Sequence, residues 1–105
     1  EHDMYYEKTL NNIIRMLKPN GLFVFSCAAP GRLEHGTLRT TPQDSGVTLT
    51  NNQDDPDWEK WQNYYKNLTE DDIKKAIDIN VFEEHQFYYA PPPIADLYFW
   101  GLKNG

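Results

Sequence analysis

Apolar positions along this chain change period several times, and each change marks an element. Leu10, Ile13, Ile14 and Leu17 follow the i, i+3, i+4, i+7 spacing of one helix face, while Asn11, Asn12, Arg15 and Lys18 fill the other. A helix over 3–18 is predicted, with Asp3 as N-cap, Glu7 favourably placed in the first turn and Lys18 at the carbonyl end. Pro19 stops it, and Asn20-Gly21 supplies the residues most tolerant of positive φ. Leu22-Phe23-Val24-Phe25 is then continuously apolar, so a strand over 21–27 with both faces covered is expected, as in parallel sheets flanked by helices.

Residues 28–57 read as a long loop, with Pro30, Gly31, Gly36, Pro42, Gly46 and Pro56 scattered among polar residues. A loop of this length is commonly a functional lid or a disordered segment, and it leaves the carboxyl end of a strand, where open α/β sheets bind ligands. Trp58, Trp61 and Tyr65 mark a short aromatic-faced helix over 58–65, either packing the loop's return onto the core or offering a carbohydrate platform. Thr69 and Asp72 form a near-variant of the capping box at the head of a helix over 70–79, whose apolar stripe is Ile73, Ala76 and Ile77. Strands over 82–89 and 94–103, separated by Pro91-Pro92-Pro93, form an antiparallel hairpin. The default is a single domain.

Charge and composition narrow the function. A net charge of −6 with no basic block disfavours nucleic acid and anionic membrane surfaces. The longest apolar runs fall far short of the roughly 20 residues a membrane helix requires. Glu1-His2-Asp3 lacks the start of a signal peptide. Cys27 is the single cysteine, which excludes an internal disulfide and favours a reducing, cytoplasmic setting. Asn67-Leu68-Thr69 fits the glycosylation pattern, but Thr69 is already explained as a cap.

The order helix, strand, long loop, helix, strand, strand resembles the C-terminal half of a class I S-adenosylmethionine-dependent methyltransferase. The run "EHDMYYEKTLNNIIRMLKPNGLFVFSCAAPG" is similar to the family's Glu-His, helix, Leu-Lys-Pro-Gly-Gly turn and fifth strand, with Asn20 in place of the turn's first Gly. "YYKNLTEDDIKKAI" resembles the helix before the sixth strand, and the final hairpin resembles the sixth and seventh strands, the last antiparallel. The implied fold is α/β, the C-terminal half of a Rossmann-like methyltransferase sheet: one strand flanked by helices plus a terminal antiparallel hairpin, its first half lying before residue 1.

The resemblance implies S-adenosylmethionine as cofactor of the intact parent and a small-molecule methyl acceptor. It also shows what these residues lack. The family holds its cofactor with a glycine-rich loop, and among the six glycines here no two are separated by one residue. The chain alone is therefore expected to be inactive and to bind no cofactor. The alternative is a small α/β interaction module without catalysis, assembling as a homo-oligomer through the exposed strand edge.

Candidate chemistry is sparse. By the resemblance, Glu1 and His2 face the cofactor side of the pocket, where His2 can position a substrate or accept a proton, or else is simply solvated. Gly31, Arg32, Glu34, His35 and Gly36 are the dense polar cluster beside a strand end. In a closing loop, Arg32 can clamp an anion and His35 can act as acid or base; in a mobile loop they are solvated. One His beside one Glu is too few ligands for zinc, so no metal is expected. Cys27 reads as a buried structural thiol, and His85 as a structural or surface histidine.

Overall fold

The computed structural model describes residues 1–46 and 54–105. The part of the predicted long loop that falls in 47–53 lies outside them. The chain forms two compact units: Glu1–Met4 with Leu33–Lys66, and Tyr5–Arg32 with Asn67–Gly105.

The second unit is a small mixed α/β assembly. Helix α1 (Tyr6–Met16) leads through the Pro19 turn into β1 (Leu22–Ala28). Helix α3 (Glu70–Ala76) precedes the hairpin of β2 (Phe82–Tyr89) and β3 (Asp96–Lys103), while α2 (Trp58–Gln62) belongs to the first unit. The sheet order is β1-β3-β2, with β3 antiparallel to both neighbours. The predicted hairpin is present. The expected half of a βαβ unit is not completed by a parallel pairing among the described residues, since β1 and β2 run the same way on opposite sides of β3.

Packing explains where the elements begin and end. Leu10 and Ile14 of α1, Ile73 of α3, Ile77, Phe23, Cys27, Phe82, Leu97 and Phe99 form one buried cluster on a single face of the sheet. Phe99 on the central strand is its hub, its ring centroid 5.0 Å from Phe25, 4.9 Å from Phe87 and 5.4 Å from Phe82. Helix α1 is shorter than the predicted 3–18. Its N-cap position is Tyr5, whose side chain makes no cap bond, two residues beyond the predicted Asp3. Leu17 is already extended, and Gly21 N–H closes a turn onto the Lys18 carbonyl at 2.8 Å around Asn20 at φ 65°. The cation at this helix end is not Lys18. Lys103 of β3 reaches across and donates to the carbonyls of Ile14 and Leu17, both at 2.7 Å.

The capping box of α3 is present. Thr69 Oγ1 accepts from Asp72 N–H at 3.1 Å, and Asp72 Oδ2 accepts from Thr69 N–H at 3.0 Å. Replacing Thr69 by alanine should cost about 1 kcal/mol, read as a lower denaturation midpoint at unchanged slope. Helix α3 ends at Ala76 instead of 79 because Ile77 turns extended to bury its side chain; a short 3-10 turn, Ile79–Val81, follows. Strand β3 begins at Asp96, two residues later than predicted, after the turn that holds Ala95 at φ 45°.

One expectation fails in an informative way. Leu22 and Val24 are 60% and 62% exposed, so the apolar run of β1 is covered on one face only. Tyr98 and Tyr88 are exposed beside them on that uncovered face, where Ser26 pairs across to Tyr98 and Tyr98 to Tyr88. Within this unit both described helices contribute to the core on the opposite face, and nothing among the described residues of the unit covers this one.

Candidate functional site

The first unit brings the polar residues of the loop together with the chain start. Lys66 N–H donates to the Glu1 carbonyl at 3.0 Å, which holds Glu1 and His2 beside Tyr65. Leu38 N–H donates to the Gln62 carbonyl at 2.9 Å, and Arg39 N–H to Asn63 Oδ1 at 3.0 Å, fastening the segment after Leu33 to the end of α2. Helix α2 stops at Gln62, so Tyr65 is not on it as its i+7 spacing from Trp58 implied. Its ring instead meets His2 and His35 edge-on, at centroid distances of 5.4 Å and 5.2 Å. Trp58 and Trp61 are half-buried in the same unit.

Three side chains converge here. Glu1, His2 and His35 each place one ligand-type atom within 4.8 Å of the others, and they are all half-buried. His35 Nε2 is 3.5 Å from the Glu1 carboxylate, and the two imidazoles meet edge-on at 5.4 Å. Gly36 makes this possible. It is buried at φ 67°, and a Cβ there would sit 3.0 Å from the His2 ring. Burial pushes His2 below the ordinary histidine range, with the Glu1 carboxylate acting against that shift and His35 adding to it. A cavity of about 270 Å³ opens beside His2, lined also by Gly36, Asp44, Ser45 and Gly46.

Around this centre residues 34–41 are held by polar bonds, which departs from a solvated stretch. Arg39 holds the Glu34 carboxylate with two bonds, Nε to Oε2 at 2.5 Å and Nη2 to Oε1 at 2.6 Å. Thr37, fully buried, donates to Glu34 Oε2 at 3.0 Å and shares a hydrogen bond with the Thr40 hydroxyl. Gly36 N–H donates to the Thr41 hydroxyl. The Arg39 bonds, then the Thr37 hydroxyl, hold the Glu34 carboxyl below the usual glutamate range against the opposing effect of its burial. A carboxyl lowered on folding stabilises the fold above its unfolded pKa, and that contribution disappears as pH falls through the lowered value. Arg39→Ala should return the Glu34 titration upward toward ordinary glutamate, as followed by carboxyl carbon NMR; an unmoved titration would contradict the pairing.

The other predicted site residues separate from this group. Arg32 belongs to the second unit, where its Nη1 donates to Asp96 Oδ1 at 2.8 Å and to the Ile94 carbonyl at 2.9 Å, bracing the approach to β3. Gly31, at φ 101°, lies beside Ala95 and Pro92 in the same unit. Asn67 donates its Nδ2, the atom a glycan would occupy, to the Arg32 carbonyl at 3.0 Å. Cys27 is buried in the core and His85 lies exposed on β2, both as expected.

The sequence presents Glu1-His2 and His35 as separate candidates, places Tyr65 on a helix face, and gives no signal for Arg39 or Thr37. Only Gly36, between a His and a Thr-rich run, hints at the required backbone turn. Compared with protein-family models, curated proteins and solved structures, the chain matches none of them. No helix among the described residues is long and apolar enough to cross a membrane.

Proposed function

We propose that the chain is the acceptor-side half of a class I S-adenosylmethionine-dependent methyltransferase sheet. The observation that carries this reading is the β1-β3-β2 order, in which the last strand of the chain runs antiparallel to both others, as the resemblance implies. The uncovered face of β1 adds support, because Leu22 and Val24 belong to a sequence run suited to a strand with neighbours on all sides. In the intact enzyme the sulfonium of the cofactor would carry the activated methyl, and the protein's work would be to hold a small-molecule acceptor in line with it and exclude water. No pair of glycines spaced for the cofactor loop occurs in these 105 residues. Calorimetric titration of this chain with S-adenosylmethionine should therefore give no saturable heat. Saturable binding by these residues alone would overturn the assignment of the cofactor groups to another segment.

A second reading is favoured by the contrast between the two sheet edges. Edge strand β2 carries Glu83, Glu84 and His85 and a register shift between Phe82 and Glu84, devices that discourage pairing. Edge strand β1, Leu22–Ala28, has no charged residue at all. In this reading a second copy covers β1 and the chain is a homo-oligomeric interaction module. Val24→Lys should then shift the light-scattering mass from dimer to monomer at micromolar concentration. A parent chain that is monomeric throughout would exclude the module.

A further inference from the structure

We propose that Glu1, His2 and His35 bind a divalent transition-metal ion through one carboxylate and two imidazoles. The inference rests on the first unit alone and is independent of the methyltransferase reading.

Ligand spacing comes first. In a tetrahedral site with bonds of about 2.1 Å, neighbouring ligand atoms lie roughly 3.4 Å apart. His35 Nε2 and the Glu1 carboxylate already stand at 3.5 Å, and the remaining spacings fall within 4.8 Å. Closing those takes a movement of about 1 Å, within the reach of a side-chain rotation.

Orientation of the rings is the second argument. A metal-binding imidazole characteristically donates its other ring N–H to a carbonyl or carboxylate, which fixes the tautomer and points a lone pair at the ion. His35 Nδ1 lies 3.1 Å from the Leu33 carbonyl. A carbonyl can only accept, so a neutral His35 that bonds Leu33 carries its proton on Nδ1 and leaves Nε2, 3.5 Å from the Glu1 carboxylate, as the ligand atom an ion between them would use. His35 thus holds the outer partner that such ligands use, and a backbone hydrogen bond with Tyr64 favours the charged form of His2. Tyr65 clamps both rings edge-on and donates its hydroxyl to the same Leu33 carbonyl at 3.4 Å.

Ligand type and room define the ion. Two imidazoles select a borderline ion such as Zn²⁺, Co²⁺, Ni²⁺ or Fe²⁺ over Mg²⁺ or Ca²⁺, which prefer all-oxygen sets. Three protein ligands leave at least one coordination position open, the arrangement of catalytic as opposed to structural sites. The cavity lined by His2, Gly36, Asp44, Ser45 and Gly46 adjoins the group on its His2 side.

The test uses the 105-residue chain carrying a short Gly-Ser extension before Glu1, so that no terminal amine at Glu1 can serve as ligand. Calorimetry with Zn²⁺ should give one ion per chain, with Mg²⁺ giving no saturable heat. His2→Ala and His35→Ala should each weaken Zn²⁺ by more than the roughly 10- to 100-fold that loss of an outer partner costs, while His85→Ala leaves it unchanged. In the parent chain, without any substitution, Zn²⁺ should shift the imidazole nitrogen resonances of His2 and His35 and leave those of His85 in place. This readout stands even if a variant fails to fold. Absence of saturable Zn²⁺ binding, affinity unaffected by His35→Ala in a folded variant, or shifts confined to His85 would each overturn the site.

Discussion

Phe99→Ala should lower the unfolding free energy by about 3–5 kcal/mol, enough to consume much of the 5–15 kcal/mol available to a domain of this size. Phe99 is 1% exposed on the central strand, and its ring is the shared neighbour of Phe23, Phe25, Phe82 and Phe87. Removing it deletes apolar contacts with both neighbouring strands at once, and rings held by their own strands cannot collapse fully into the hole. Urea denaturation followed by circular dichroism measures the loss. A midpoint within experimental error of the parent would mean that the three strands do not share one core.

The opposite perturbation at the neighbouring position tests the same core from the other side. Gly101 is buried, and a Cβ there would lie 2.6 Å from Phe82 Cδ1 and 2.8 Å from Phe99 Cζ. Both contacts are ring atoms packed within the core, so neither can swing away cheaply. Gly101→Val should destabilise by about 1–3 kcal/mol through overpacking, despite its better strand propensity. An exposed strand glycine would instead gain stability from the change. A rise in the denaturation midpoint would therefore contradict the arrangement of Phe82 and Phe99 around position 101.

Local signals in the sequence were strong where neighbouring residues decide the outcome. The period of Leu10, Ile13, Ile14 and Leu17 located α1, Asn20 took the positive φ expected of it, and the Thr69–Asp72 box headed α3. The hairpin was legible from two aromatic-rich runs around a proline turn. Distant residues decided the rest. Leu-Phe-Val-Phe reads the same whether a strand has one covered face or two, so the exposure of Leu22 and Val24 could not be read from it. The cation that satisfies the end of α1 comes from Lys103, placed there by sheet register and not by helix spacing.

The candidate site shows the same division. Glu1-His2 and Glu34-His35 were each visible, yet neither pair alone has enough ligands to hold an ion. Their meeting depends on the backbone bond from Lys66 to Glu1, on the left-handed turn at Gly36 and on the ring of Tyr65, which meets both imidazoles edge-on. Tyr65 was assigned to a helix face by its spacing from Trp58 and Trp61; the helix ends at Gln62 and frees it for this contact. Arg32 stood out as a loop cation, and its partner Asp96 is remote in sequence.

The methyltransferase reading is tested most directly by determining the coding sequence that precedes Glu1 and titrating its full product with S-adenosylmethionine in a calorimeter. The account predicts a strand followed by a Gly-x-Gly loop upstream and one bound S-adenosylmethionine per complete chain, with none bound by the 105 residues alone. A complete product that lacks such a loop, or that binds no S-adenosylmethionine, would contradict it.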